Sequence, residues 1–356
     1  MNKYISISLI LTVLVSGLTS CMSSVQITSV VEKNKKGNYL VKWEVSPDQE
    51  GDIQIYSSLS DTSINSFVPV TTAKINEQFA VLNPTGSGIR QFFFLKTAGA
   101  ISGIIANRII DMDNIYNFRD LGGYYTTDNK QMRWGKIYRS GDLSKGSLFD
   151  YDKIFSLGIK TIIDLRTNPF AIVNPILIKQ GMNYISLPIV PGDTKEMIEQ
   201  VQKEKITRSD AVIFMQDGYT RILDDYKNEL RKVFDVLSDE NNYPVLVSSI
   251  LGKDRVGVVS YLILYAVGIP EYIIEDDYML SNDNLNPRNY IDFTQMMSEP
   301  TQEAITALLS VNKAYINYAT EHLKKKYGSV NNYLTKELGL TPKKRESLRK
   351  ILLYQR

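Results

Sequence analysis

Ser248-Ser249-Ile250-Leu251-Gly252-Lys253-Asp254-Arg255-Val256-Gly257 gathers the residue types best suited to chemistry in this chain. It follows an apolar run, Pro244-Val245-Leu246-Val247, that reads as a buried strand. After it comes a run from Arg255 to Val267, apolar nearly all round, that reads as a helix stopped by Gly268 and Pro270. Where a strand feeds a helix, the first amides of the helix have no intrahelical acceptor, and the helix dipole adds a positive field. Gly252 lets the backbone turn tightly. Arg255 offers a planar fork for two oxygens of one anion, and Lys253 adds a compact charge. The chemistry this favours is anion binding. It is not a Walker A loop, because Asp254 follows Lys253 and the preceding glycine is missing. A charged turn has the same composition, so the loop by itself leaves both readings open.

Two counts exclude whole reaction classes. The chain has one cysteine, Cys21, and one histidine, His322, among 356 residues. No intrachain disulfide can form, and no zinc site can be built from Cys and His ligands. A Ser-His-Asp or Cys-His pair would need His322, which lies among exposed charges. No metal and no cofactor are expected. Forty-one Lys and Arg against 39 Asp and Glu give a net charge of +2, which offers no ground for nucleic-acid binding. The basic runs Lys324-Lys325-Lys326 and Lys343-Lys344-Arg345 read as solvated helix ends.

The elements that must carry the loop begin after a leader. Met1-Asn2-Lys3 and the apolar stretch Tyr4 to Leu18 read as a secretory signal, too short for a comfortable membrane span. Leu18-Thr19-Ser20-Cys21 resembles the lipobox of bacterial lipoproteins. That resemblance implies cleavage after residue 20 and acylation of Cys21, anchoring an exported protein in the cell envelope. The outer membrane is the first expectation, on its periplasmic or surface side. No acidic residue follows Cys21 closely, so sorting is left open. More than one acyl chain would make the anchor stable.

Residues 21–112 read as a small all-β sandwich. Strands are expected at Val25 to Thr28, Tyr39 to Val45, Ile53 to Ser57, Gln78 to Leu82, Gln91 to Lys96 and Ile101 to Arg108, with turn clusters between them. Trp43 on an early strand resembles the core tryptophan of fibronectin type III domains. Residues 113–356 alternate strands with helices, which means an α/β fold with a largely parallel central sheet flanked by helices. Ser147 should cap a helix ended by Gly158, strands are expected at Ile159 to Leu165 and Tyr184 to Ile189, and Thr341-Pro342 should open a last helix. The period of Tyr219, Ile222, Leu223, Tyr226, Leu230, Val233, Phe234 and Leu237 predicts one long amphipathic helix.

Beyond composition, the loop resembles the phosphate-binding loop of the protein tyrosine phosphatase superfamily, in the form His-Cys-x-x-Gly-Lys-Asp-Arg-Thr-Gly found in a bacterial tyrosine and lipid phosphatase branch. Four other segments resemble that branch in order: Asn117 to Tyr124, Ile137 to Ser144, Ile163 to Thr167 and Asp277 to Asn282. The resemblance implies a tyrosine-phosphatase-like fold for the second domain and a phosphate site made of Ser249, Ile250, Leu251, Gly252, Lys253, Asp254 and Arg255. It assigns the nucleophile position to Ser249, the leaving-group acid to Asp254 and transition-state binding to Arg255. Asp164, Arg166 and Ser248 are expected around that site; Arg119, Asp120, Arg139 and Asp142 are expected to hold its loops. A structural role for Asp254, pairing Arg255 or capping the helix, stands open beside the catalytic one.

Three departures bear on activity. Ser249 stands where the family has its nucleophilic cysteine, Ser248 where it has histidine, and Val256 where it has threonine. Three changes together, behind an intact leader, fit natural divergence better than one engineered exchange. Family chemistry needs a thiol whose pKa falls several units from about 8.5, and a serine hydroxyl starts far less acidic. The sequence therefore reads as a phosphate-monoester-binding pseudophosphatase. The alternatives are an active phosphatase, with Ser249 or water as nucleophile, and a scaffold that binds a partner through the β domain. The expected partners are a phosphorylated protein, lipid headgroup or sugar, and the membrane through the anchor.

Overall fold

A computed structural model describes residues 24–62, 68–85, 90–167, 181–285 and 292–355. Cys21 and the leader lie outside the described residues. None of the described helices is long and apolar enough to cross a membrane.

The amino-terminal region is all-β and antiparallel. Strand β2 (Tyr39–Ser46) turns Tyr39, Val41, Trp43 and Val45 inward while Leu40, Lys42 and Glu44 face out, the period-2 pattern of a half-buried strand. It pairs with β1 (Gln26–Lys33) and β5 (Phe79–Leu82). A second sheet runs β4 (Thr71–Lys74), β3 (Asp52–Ser58), β6 (Phe92–Lys96), β7 (Ile105–Ala106). Ile53, Ile55, Phe93 and Leu95 of this sheet close on Val41 and Trp43 of the first. Two expectations change. Strand β4 was not foreseen, because Thr71-Thr72-Ala73-Lys74 carries no large apolar residue. The strand expected over Ile101 to Arg108 shrinks to β7, since Gly103 passes so close to Tyr125 that an added Cβ would lie 1.7 Å from its hydroxyl.

The rest of the chain is α/β, as the alternation of elements predicts. A five-stranded sheet runs β11 (Asn183–Ser186), β10 (Thr161–Asp164), β12 (Val245–Ser248), β9 (Ile137–Ser140), β8 (Arg119–Asp120). The first four are parallel, and β8 closes one edge antiparallel. In register, Ser186, Asp164, Ser248 and Ser140 form one row at the carboxyl ends. The loops that leave these strands therefore meet along one edge of the sheet, the place where open α/β sheets bind ligands.

Helix α1 (Leu148–Ser156) starts at Ser147, whose side chain makes a capping box with Asp150. Helices α2 (Thr194–Gln202), α3 (Arg208–Asp225) and α4 (Lys227–Leu237) follow. The single long helix predicted from the apolar period is thus two helices, broken at Tyr226, where ψ reaches 30°. The period survives the break because Ile222, Leu223, Leu230 and Val233 all enter one core. Helix α5 (Arg255–Val267) is buried at every position except Tyr265 and ends at Gly268 with φ 96°. Helices α6 (Glu271–Met279), α7 (Glu299–Leu309), α8 (Lys313–Tyr327) and α9 (Pro342–Leu352) complete the described helices of eight residues or more, with Thr341 capping α9.

The β region is wired to the sheet rather than hung beside it. Arg90 forms a buried ion pair with Asp120 and donates to the Asn107 carbonyl at 2.9 Å. Trp134 packs with Phe92 and Ala106 and donates to the Ile104 carbonyl at 2.8 Å. The Arg108 guanidinium lies 3.8 Å from the centre of the Tyr124 ring.

Candidate functional site

The loop from Ser249 to Asp254 is held by its carbonyls. Asp142 N–H donates to the Ile250 carbonyl at 3.0 Å. The Asn117 amide donates to the carbonyls of Leu251 and Gly252, at 3.1 and 3.0 Å. Arg139 donates to the Gly252 carbonyl as well, at 2.8 Å. Gly252 has φ 64°, and a Cβ there would lie 2.4 Å from the Ser140 carbonyl, so both conformation and space demand glycine. With the carbonyls engaged by the scaffold, the amides are left over. Among the described residues, no backbone N–H from Ile250 to Arg255 donates a hydrogen bond. Six successive amides without acceptors at the start of a helix are an arrangement that favours an anion.

Arg255 completes it. Its side chain emerges from the first turn of α5 and is 9% exposed. Its guanidinium donates only to the carbonyls of Leu165 and Ile189, each at 3.3 Å, and forms no salt bridge among the described residues. Burial pulls its pKa below the ordinary guanidinium value, against the opposing fields of Asp254 and Asp164. A buried cation without a counter-ion is stabilised by an anion brought to it.

The groups that would move protons are arranged otherwise. Ser249 is 2% exposed, and its hydroxyl has no hydrogen-bond partner among the described residues. Ser248 donates to the Gly141 carbonyl at 2.7 Å and so faces the scaffold. Asp254 neither caps α5 nor pairs with Arg255. Its backbone sits at φ −85° and ψ −74°, away from the extended conformation that a capping side chain needs. Instead its carboxylate accepts Lys253 Nζ at 2.8 Å and the Tyr219 hydroxyl at 2.8 Å. Lys253 is 1% exposed and also donates to the Ser310 carbonyl. Burial and Asp254 push the Tyr219 phenol well up, which keeps it a donor. Sequence reading placed Tyr219 in the core and did not foresee this bond. The signal available was only its place in a tyrosine-rich helix.

Asp164 and Arg166 pair with each other, the closest contact being 2.7 Å, and Arg166 also meets Asp142. Asp164 is therefore occupied on both oxygens. Behind the loop, Asp277 sits between Arg139 at 2.9 Å and Arg119 at 3.4 Å, and accepts the Tyr124 hydroxyl at 2.9 Å. Burial would raise its pKa; the guanidiniums of Arg119 and Arg139 outweigh burial and hold it at about 2. Arg139 moves down to about 10 through burial and the charge of Arg119. Arg119 in turn donates to Asn117, the residue that holds the loop. All five segments singled out in the sequence thus converge on one site. His322 stands outside this network and pairs with Asp224 at 2.9 Å. Among the described residues, no group of three or more His, Cys, Asp or Glu is gathered to hold a metal ion.

Residues 110–354 match the model of the tyrosine phosphatase family. A Cupriavidus necator protein, provisionally named a tyrosine-protein phosphatase, is 25% identical over 240 residues, spanning 67% of this chain and 86% of its own length. The triple specificity protein phosphatase PtpB of Mycobacterium tuberculosis is 25% identical over 279 residues, spanning 68% of this chain and 98% of its own. The solved core catalytic domain of the PP-IP phosphatase SIW14 from S. cerevisiae is 14% identical and covers 63% of this chain and 98% of that one. Its TM-score of 0.30 is too low to carry an argument.

Proposed function

The chain belongs to the tyrosine phosphatase family, and on that premise we propose that it captures phosphate monoesters at the Ser249–Arg255 loop without turning them over. The carrying observation is the pairing, among the described residues, of six amides without acceptors and an Arg255 without a counter-ion with a Ser249 hydroxyl that has no hydrogen-bond partner. Attack by serine needs an acceptor for its proton. The nearest candidate in sequence, Lys253, is a buried donor to Asp254, and Ser248 is itself a donor. Replacing a thiolate by a neutral hydroxyl also removes a negative charge that would face the phosphate dianion.

One observation favours a rival. Asp254 is 22% exposed and, among the described residues, one of its oxygens is engaged and the other is not, which leaves an oxygen to orient water or protonate a leaving group. Under that reading the protein is a slow phosphomonoesterase. The proposal also includes export and anchoring through Cys21, with residues 21–112 and 113–356 as separate domains of the mature protein.

The test is calorimetric binding of inorganic phosphate and phenyl phosphate, run beside phosphate release from phenyl phosphate. The parent should bind both and release nothing. Arg255→Ala should weaken binding about a hundredfold, the loss of one charge-assisted fork. Ser249→Cys should gain hydrolysis if only the nucleophile is missing. Turnover in the parent that Ser249→Ala abolishes would make serine the nucleophile and end the pseudophosphatase reading.

A further inference from the structure

A cleft of about 320 Å³ opens between α2 and α3, its wall beginning two residues after Ile189, whose carbonyl accepts Arg255 of the phosphate loop. We propose that it reads the peptide around a phosphorylated residue and takes a basic side chain next to that phosphate; this rests on the phosphate-capture reading above. Two connections fix its position. The Ile189 carbonyl holds Arg255, and Pro191, two residues on, forms one wall of the cleft. Tyr219 holds Asp254, and Gly218 beside it forms another wall, where a Cβ would come within 3.0 Å of the Pro191 carbonyl. Pro191 lies at most about 7 Å along the chain from Ile189, a distance that the side chain of a residue flanking the phosphorylated one can bridge.

The lining combines an apolar floor with an acidic rim. Half-buried Met197 and Phe214 supply the floor, and exposed Ile213 adds an apolar edge. Four carboxylates, of Asp193, Glu196, Asp210 and Asp217, stand against the single guanidinium of Arg221, a net of −3. Two of the four are committed to helix starts: Asp193 accepts Glu196 N–H at 2.9 Å, and Asp210 accepts Thr207 N–H at 2.9 Å. Glu196 and Asp217 have no ion pair and no side-chain hydrogen bond among the described residues, and Arg221 has none either. Beside the positive phosphate loop lies a negative cleft, complementary to a phosphate with a cation one or two residues away. A ligand with a second phosphate at that distance is repelled, which argues against inositol polyphosphates.

The full chain is titrated with four probes at low salt: phenyl phosphate, inositol trisphosphate, and two phosphotyrosine peptides that differ only in Arg or Glu beside the phosphotyrosine. The Arg peptide should bind about tenfold tighter than the Glu peptide, two charge contrasts across partly screened water. In Glu196→Gln/Asp217→Asn that ratio should fall to about threefold or less, with phenyl phosphate affinity unchanged; neither side chain caps a helix. Equal binding of the two peptides, tighter binding of inositol trisphosphate, or a ratio that survives the double substitution overturns the cleft assignment while phosphate capture stands. If phenyl phosphate and both peptides fail to bind, phosphate capture and the cleft assignment fall together.

Discussion

Asp277→Asn tests whether the frame behind the phosphate loop is held by charge or by shape. Asp277 is 1% exposed and lies between two guanidiniums, Arg139 at 2.9 Å and Arg119 at 3.4 Å. Its drop from the ordinary 3.8 to about 2 corresponds to about 2 kcal/mol of stability at neutral pH. The folded value is the lower one. This contribution is therefore complete above the unfolded value of 3.8 and lost as pH falls toward about 2. Asparagine keeps the volume and an acceptor but removes the charge, so Arg119 and Arg139 remain buried with no carboxylate between them. Stripping one partner from a buried ion pair costs ~3–5 kcal/mol, more than the titration figure, because the stranded charges add their own desolvation. The expected loss is about 3 kcal/mol at pH 7, read as a lower urea midpoint with an unchanged slope. Other carboxylates titrate too, so the quantity to follow is parent minus variant. That difference should shrink toward the linkage-free remainder as pH approaches 2. A loss below about 1 kcal/mol at pH 7, with phosphate affinity intact, would refute the charge argument.

Two further substitutions probe the loop and its wiring. Gly252→Ala forces a Cβ to within 2.4 Å of the Ser140 carbonyl at φ 64°; it should abolish phosphate binding and cost about 2 kcal/mol or more, and binding within threefold of the parent would sink the loop geometry. Arg90→Leu removes the ion-pair partner of fully buried Asp120 and should lower the urea midpoint by an amount equivalent to about 3 kcal/mol. An unchanged midpoint would mean that the backbone donors of Gly122 and Gly135, at 2.7 and 2.6 Å, satisfy Asp120 unaided.

What could be read in the sequence followed from local constraint. Arg255 to Val267 is apolar nearly all round and ends at a glycine in the left-handed region, so its helix was delimited from both sides. Ser147 and Thr341 announced their helices by capping chemistry. What stayed hidden depended on partners far along the chain. Asp277 meets Arg119 and Arg139 across 158 and 138 residues, and nothing near position 277 hints at two guanidiniums. The break at Tyr226 was invisible because α3 and α4 bury their stripes against the same core, so hydrophobic period alone continues through it. Of the two readings open for Asp254, the structural one fails for a backbone reason. Its capping role assumed an extended residue, whereas its dihedrals turn the carboxylate toward Lys253 and Tyr219.

The contacts between Arg90, Arg108, Ile104 and the Asp120–Trp134 stretch acquire a time order during synthesis. Amino-terminal units emerge first, from the ribosome or, under the export proposed above, from the membrane channel, and fold first. By the time Asp120 emerges, 30 residues after Arg90, its counter-charge already stands on a finished sheet, and Trp134 finds Phe92 and Ala106 waiting. The β region then serves the growing chain as a template on which the edge of the parallel sheet is laid down. Moving residues 24–107 to the carboxyl end through a linker would leave the Arg90–Asp120 pair and the Trp134 packing open to the finished molecule. During translation, however, Asp120 would stay unneutralised until the last strand arrived, a penalty felt in cellular yield and absent from the melting curve.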